Sequence, residues 1–207
     1  HITCAGIGWS RTEALCVPFT CAGSLNGYWP LEQEVEILWM LRKLLTHENA
    51  WIIGQNLLYD AQHTHRSWKF IPRVRRDTMI SFHSAFCEAA RDDTNEKTGK
   101  KGQGQSGVRK SLDYLASLLC EKYVQWKGVR HKSDEELWRY NGEDCVRTWE
   151  VDEGTQTLIT RLGLQEVCDH QHEMFLPVLR AMTSGVHIDT DMRDRLNKEL
   201  KPGIKER

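Results

Sequence analysis

The stretch Trp51-Ile52-Ile53-Gly54-Gln55-Asn56-Leu57-Leu58-Tyr59-Asp60 decides the fold class that the sequence predicts. Its first four residues form a short apolar run typical of a buried strand, and the run leads directly into a helix that starts near Asn56. A strand that feeds a helix brings the first turn of that helix to the edge of a sheet, where open α/β sheets bind ligands. The sequence therefore predicts an α/β domain with a ligand site near Asn56 and Asp60.

A second pattern, Tyr140-Asn141-Gly142-Glu143-Asp144, lies beyond the middle of the chain. In both patterns a carboxylate stands four places after a polar or aromatic residue, and residues at i and i+4 share one face of a helix. Carboxylates on rigid elements hold Mg²⁺, and hydrolysis of a phosphodiester needs a metal-bound hydroxide and a cation at the leaving oxygen. Together the two patterns predict half of a carboxylate site for two metal ions.

Length and composition exclude several classes of protein. The 207 residues suit one domain with a short extension, and 28 Lys+Arg against 29 Asp+Glu give no overall basic charge for binding nucleic acid. The seven scattered cysteines indicate reduced thiols and a cytoplasmic location. Neither a signal peptide nor a membrane helix is visible, since the longest uncharged stretch contains Pro and Gly. The chain opens with His1 on a sheet-like run, so we expect a fragment.

Local patterns predict the remaining elements. Apolar runs at residues 2–9 and 14–19, separated by a turn, indicate a pair of adjacent strands. Helix signals are apolar residues at helical spacing or a Pro, Asp or Ser at the start. They predict helices at residues 31–45, 77–90, from 111, from 133 and 164–183, and a charged tail that is helical at first.

The stretch at residues 91–110 differs in composition from the rest of the chain. It combines acidic residues, glycines and basic residues with almost no apolar side chain. Such a stretch cannot bury enough surface to order itself, and we therefore expect a mobile basic loop there. Other basic residues cluster at 66–76 and 122–132, and these local clusters are where phosphate contacts are expected.

The two patterns resemble motifs of a known family. Asn56-x-x-Tyr59-Asp60 is similar to the second motif, and Tyr140-x-x-x-Asp144 to the third, of the 3′-5′ proofreading exonucleases attached to family A (polymerase I type) DNA polymerases. Three further segments resemble landmarks of that family in the expected order. They are Asp77-Thr78-Met79, Lys110-Ser111-Leu112-Asp113-Tyr114-Leu115-Ala116 and Met182-x-x-Gly185-Val186-x-Ile188-Asp189.

This resemblance implies a ribonuclease H-like fold with a mixed central sheet flanked by helices, of which the chain lacks the first strand. Residues 1–163 would form the exonuclease domain without its first motif, and residues 164–207 a helical connection and the start of a polymerase domain. The implied reaction removes the 3′-terminal nucleotide of single-stranded DNA with two Mg²⁺ or Mn²⁺ ions. The implied partners are the DNA 3′ end and the remainder of the polymerase chain, with no membrane.

The resemblance also implies roles for single residues. Asp144 would bind the ion that activates water, and Asp60 would support the second ion. Tyr140 would orient the attacking water, because a phenol with an ordinary pKa of about 10 is a better positioner than a base. Asn56 would hold the terminal nucleotide or the Asp60 loop, and Tyr59 would contact the substrate as well.

One departure from the family limits the expected activity. The family carries an Asp-x-Glu first motif on a leading strand, and we find no such pair on a strand of this chain. The sequence thus offers two of four ligands, and Mg²⁺ held by two carboxylates keeps most of its water and binds weakly. We therefore expect little nuclease activity from this polypeptide and full activity from a complete parent.

Two other functions remain open from the sequence. A ribonuclease D-type 3′-5′ exoribonuclease shares the Asn/Tyr/Asp layout, although residues 185–189 argue against it. A catalytically silent domain kept for DNA binding or as a structural platform is the other alternative. Among the remaining residues, the histidines, including His172, are interpreted as surface or satisfied core residues. Trp39, Trp51 and Trp138 are predicted in the core, and Trp126 could stack on bases.

Overall fold

The computed structural model describes residues 2–21, 27–87, 110–123, 125–127 and 133–205. The predicted mobile loop at residues 91–110 lies outside the described residues except for Lys110. The described residues form a mixed α/β structure, which confirms the predicted class. Its elements are β1 (Cys4–Gly8), β2 (Ala14–Pro18), α1 (Leu31–Leu45), β3 (Ile52–Gly54), α2 (Leu57–Trp68), β4 (Val74–Asp77), α3 (Thr78–Ala85), α4 (Leu112–Leu119), α5 (Asp134–Leu162), α6 (Gln165–Glu173), α7 (Phe175–Ser184) and α8 (Thr190–Lys205).

The strands form two separate sheets instead of the one mixed sheet that was predicted. β1 and β2 pair antiparallel, with Gly6 opposite Cys16, as the two apolar runs predict. β3 and β4 pair in parallel, with Gly54 opposite Asp77. Among the described residues no ladder of hydrogen bonds joins the two pairs. Helix α5 nevertheless contacts β1, β2 and β3, so both pairs pack on the same helix.

Glycines on β1 allow α5 to approach the first sheet closely. A Cβ atom at Gly6 would lie 2.2 Å from Asn141 Oδ1 and 2.6 Å from Cys145 Sγ. At Gly8 the nearest atom would be Cys145 Cβ, at 3.1 Å. A Cβ atom at Gly6 would overlap side chains of α5, whereas one at Gly8 would require only a small shift, so it is Gly6 that lets α5 and its Tyr140-to-Asp144 segment lie close to β1.

Two apolar clusters hold the helices together. The first joins α3, α4 and α5, and the second joins α2 to α7. Each buried aliphatic or aromatic side chain of this kind contributes about 1.5–3 kcal/mol to the free energy of unfolding. The first cluster consists of Phe82, Leu112, Leu115, Ala116 and Val151, and the second of Ala61, Phe175 and Leu179.

Most predicted helix starts are confirmed, with differences in detail. Helix α1 begins directly after Pro30. The Asp77 carboxylate accepts a hydrogen bond from the Met79 N–H at the start of α3, although α3 ends at Ala85 and not near residue 90. The Ser133 hydroxyl accepts from the Glu136 N–H at the start of α5. Helix α4 follows Ser111 as predicted, but the Ser111 hydroxyl forms no capping hydrogen bond.

The single helix predicted at residues 164–183 is wrong. The chain forms α6 and α7, which meet at Met174. Pro177 explains the interruption, because its ring would clash with the carbonyl of residue 173 in a continuous helix and it has no N–H to donate. In the first turn of a new helix the missing N–H has no consequence. The charged tail forms α8 as predicted, and its side chains at residues 190–200 are exposed.

The prediction that Trp39 and Trp51 belong to the core is wrong. Their side chains are 67% and 63% exposed, whereas Trp138 is half-buried with its ring edge-on to Tyr28. Together with other residues of α1 and with Trp68 and Phe70, Trp39 lines a shallow cavity of about 170 Å³. Among the described helices, none combines the length and the apolar composition that crossing a membrane requires.

Candidate functional site

The Asp77 carboxylate builds the turn that precedes α2. It is 1% exposed and accepts hydrogen bonds from the N–H groups of Asn56 (3.0 Å), Leu57 (2.6 Å) and Met79 (2.9 Å). Because β3 and β4 are parallel, their carboxyl ends meet, and one carboxylate can serve the first turns of both α2 and α3. Burial raises the pKa of Asp77, although these N–H donors act in the opposite direction.

Asn56 adopts a backbone conformation that few residues other than glycine tolerate. Its φ of 57° and ψ of 42° lie in the left-handed region, in which asparagine is among the most favoured of the other residues. The Asn56 side chain is exposed and makes no capping hydrogen bond to α2. Such strained positions are concentrated at functional sites, and here the hydrogen bond to Asp77 holds the strained backbone in place.

Asp60 and Tyr59 follow in the first turn of α2. Both side chains are exposed, and the Tyr59 ring packs against the half-buried His63 ring at 4.5 Å between centroids. The pKa of Asp60 is raised because surrounding protein partly desolvates the carboxyl group, and the charge of Asp77 adds to this increase. The Asp60 N–H and His63 lower the pKa and only partly offset the desolvation.

Asp144 on α5 has a different environment. Its Oδ1 accepts a hydrogen bond of 2.7 Å from Trp126 Nε1, and Lys127 Nζ lies 3.2 Å from both carboxylate oxygens. The same ammonium group is 5.3 Å from the centroid of the Tyr140 ring. Tyr140 and Asp144 therefore share one helix face, as their spacing predicts. Burial lowers the pKa of Lys127, but Tyr140 and Asp144 outweigh it and the pKa is raised.

The Cys145 thiol follows Asp144 on α5 and packs against the glycines of β1. Burial raises its pKa to about 12, and the negative charge of the adjacent Asp144 adds to the increase. Helix α5, which carries Cys145 and Asp144, packs against β1 and β3, and β3 leads into the turn before α2, on which Asp60 lies.

A divalent ion does not fit the described residues as they are arranged. Within the described ranges, no group of three or more His, Cys, Asp or Glu residues could hold a metal ion. The Asp144 oxygens already accept the Trp126 N–H and contact the Lys127 ammonium, and an ion bound there would lie beside another cation. The assignment of Asp60 and Asp144 as ligands of Mg²⁺ or Mn²⁺ stays a prediction.

Sequence reasoning missed three contributors to this site. Asp77 was expected as a helix cap, but not as the acceptor that also holds Asn56 and Leu57. Trp126 was considered as a ring for base stacking, whereas it packs against the first apolar cluster and donates to Asp144. Lys127 was one member of a basic cluster, and no spacing rule connects it to Asp144.

His172 confirms its interpretation as a satisfied core residue. Its Nε2 accepts the Asp77 N–H at 2.9 Å, and its Nδ1 donates to the Cys168 carbonyl at 2.7 Å. Both ring nitrogens are therefore used, and α6 is attached to the end of β4 directly behind the Asn56 turn.

Comparison with known proteins adds no family assignment. No model of a known protein family matches the chain, and no curated protein sequence matches it. The functional interpretation therefore rests on the motifs and on the geometry described above.

Proposed function

We propose that this chain is a ribonuclease H-like 3′-5′ exonuclease domain of the proofreading type attached to family A DNA polymerases. One observation supports the proposal: helix α5, which carries Tyr140 and Asp144, packs against β3, and β3 leads directly into the turn and helix α2 that carry Asn56 and Asp60. A second acidic segment close to the first is what the resemblance requires of such a domain. The substrate is the 3′ end of single-stranded DNA.

The exposed residues of the α2 turn bind the terminal nucleotide in this proposal. The Tyr59 ring is 61% exposed and can stack on an unpaired base, and the Asn56 amide can donate to or accept from the nucleotide. On α5 the Tyr140 hydroxyl orients water near the scissile phosphate. Asp144 lies one turn further along the same face of the helix.

Hydrolysis by this polypeptide is expected to be weak. Two carboxylates are too few for a two-ion site, and Asp144 is paired with Lys127. In the family the remaining carboxylates belong to an Asp-x-Glu motif on a strand, and in this proposal an added strand with that motif completes the site. Family members use the bound ions to activate water and to stabilise the leaving oxygen.

A binding experiment tests the proposal directly. The affinity of the protein for a fluorescently labelled single-stranded DNA is measured by anisotropy for the wild type, Tyr59→Ala and Trp39→Ala. Loss of one stacked base costs about 1–3 kcal/mol, so Tyr59→Ala should weaken binding about tenfold. Trp39 is an equally exposed aromatic residue on α1, and Trp39→Ala should leave the affinity unchanged. Equal effects of both substitutions, or no binding of single-stranded DNA, would contradict the proposal.

A second experiment separates the alternatives. Digestion of a 5′-labelled strand is followed with Mg²⁺, using the chain alone and a version with an Asp-x-Glu strand added at its amino end. Activity of the extended version on DNA, abolished by Asp144→Asn, supports the exonuclease. Preference for RNA favours the ribonuclease D-type enzyme. Binding without hydrolysis favours the silent domain, for which the contact between Lys127 and Asp144 is the specific observation.

A further inference from the structure

Lys127 contacts Asp144 in the manner of a bound ion. Its Nζ is 3.2 Å from Oδ1 and 3.2 Å from Oδ2, so the ammonium bridges the carboxylate instead of facing one oxygen. The ring of Tyr140 lies 5.3 Å from this ammonium and the ring of Trp126 lies 5.9 Å away. Aromatic faces attract cations, and the two rings and the carboxylate therefore form a pocket for one positive charge.

Neighbouring residues keep Lys127 in this pocket. Trp126, which precedes Lys127 in the chain, packs against the apolar cluster of α3, α4 and α5 and donates to Asp144 Oδ1. The Lys127 side chain is 29% exposed, so most of its surface is covered by protein.

We propose that Lys127 is a tethered cation that occupies the cation position of Asp144 and thereby excludes a divalent ion from this carboxylate. The inference rests on the proposed function only in that it treats Asp144 as a site for cations. Two cations a few ångströms apart repel strongly in a partly buried site, so the ammonium and a divalent ion cannot both contact Asp144.

Direct measurement of Mn²⁺ binding tests this inference without nucleic acid. Free Mn²⁺ is quantified by electron paramagnetic resonance for the wild type and for Lys127→Met, which keeps the length of the side chain and removes the charge. We expect Lys127→Met to bind Mn²⁺ at least about tenfold more tightly than the wild type. Lys127→Arg keeps the charge and should not gain affinity.

Two controls make the result specific. Lys122→Met removes one positive charge from an exposed position outside the pocket, and it should not change Mn²⁺ binding. The double variant Lys127→Met/Asp144→Asn should lose the gain, which assigns it to the Asp144 carboxylate. Circular dichroism establishes that each variant is folded, and Lys127→Gln replaces Lys127→Met if the methionine variant does not fold.

The inference is overturned if the uncharged Lys127 variant binds Mn²⁺ no more tightly than Lys122→Met does. It is also overturned if the gain survives Asp144→Asn. Neither result bears on the affinity for single-stranded DNA, which the Tyr59→Ala experiment measures separately. Failure of this inference and failure of the proposed function are thus distinguishable.

Discussion

The two acidic groups of the candidate site are stabilised in different ways. Asp144 on α5 is half-buried and contacts an ammonium and an indole N–H, so its charge is compensated within the protein. Asp60 on α2 is exposed and forms no ion pair with Lys or Arg in the described part of the chain, and its pKa is raised. The same i and i+4 pattern therefore leads to two electrostatic environments. The sequence motif identifies each carboxylate, but the side chains around it in the folded structure determine whether its charge is neutralised.

The largest expected effect on the free energy of unfolding comes from breaking the ion pair that joins β4 to α5. Arg76 on β4 forms two hydrogen bonds, of 2.8 and 2.6 Å, with Asp152 on α5. Asp152 is 2% exposed, so Arg76→Met leaves a buried carboxylate without its partner. We expect the free energy of unfolding to fall by about 4 kcal/mol at pH 7, measured by urea denaturation.

The pH dependence provides an internal check on this result. Burial raises the pKa of Asp152 even beside Arg76, and without Arg76 the pKa rises further. The loss of stability in Arg76→Met should therefore diminish as the pH falls and Asp152 becomes neutral. Arg11→Met breaks an exposed ion pair with Glu153 on the same helix and should leave stability unchanged. If Arg76→Met and Arg11→Met lowered the free energy of unfolding by similar amounts, burial of the unpaired Asp152 charge would not be the cause.

The second expected effect concerns the distance between α5 and the first sheet. Gly6→Ala introduces a methyl group 2.2 Å from Asn141 Oδ1, and α5 or the Asn141 side chain must move. Such overpacking costs about 1–3 kcal/mol in the free energy of unfolding. Displacement of α5 should also shift the indole signal of Trp126 in a ¹H–¹⁵N NMR spectrum, because its N–H donates to Asp144.

Gly142→Ala on α5 serves as the matched control for Gly6→Ala on β1. A Cβ atom there would lie 3.9 Å from Ala14 Cβ, which is an ordinary contact. Within a helix this change should stabilise the protein by about 0.5–1 kcal/mol. If Gly6→Ala also stabilised the protein, the close approach of α5 to β1 would be ruled out.

An effect of similar size is expected from the loss of the Trp126 N–H, which donates to Asp144. Trp126→Phe retains the packing of an aromatic ring against the apolar cluster but removes the hydrogen bond to Asp144. Hydrogen bonds to charged groups contribute about 1.5–3 kcal/mol, and loss of part of the ring volume adds to the cost. Thermal denaturation should show the loss in the wild-type background. In an Asp144→Asn background the loss should be smaller, because the acceptor is then neutral.

The sequence was sufficient for features that depend on neighbours along the chain. The β3 strand, the start of α2 near Asn56 and the caps of α3 and α5 follow from local patterns, and all are present. The sequence was insufficient for contacts between side chains that are far apart along the chain. Nothing in the local sequence indicates that Lys127 contacts Asp144, or that one carboxylate at Asp77 serves two helices.

Two errors have separate physical causes. The apolar residues around Trp39 in the sequence do not show whether another element covers its side chain, which is 67% exposed. The apolar pattern of residues 164–183 continues through Pro177, although the proline interrupts the backbone hydrogen bonds that a single helix needs. The error at Trp39 thus arises because no other described element covers this side chain. The error at residues 164–183 arises because proline cannot continue the hydrogen bonds of a helix.

The smallest expected effect concerns Asp60 itself. Since its folded-state pKa is raised, the ionised carboxylate destabilises the folded protein at pH values above that pKa. Asp60→Asn should be slightly more stable than the wild type at pH 7. The difference should shrink as the pH falls through the folded-state pKa and vanish below the unfolded value of about 3.9. Urea denaturation at several pH values measures it, and a difference that grows at low pH would contradict the raised pKa.

The length of α5 has a consequence for the dynamics of the whole site. At 29 residues the helix extends about 43 Å, and it carries Tyr140, Asp144 and Asp152 along one uninterrupted backbone. Because it is packed on both strand pairs, its central turns cannot open while either pair remains attached. Amide hydrogens around residues 144–155 should therefore exchange with solvent only when the entire domain unfolds. Those of the exposed α8 should exchange through local fraying, many orders of magnitude sooner.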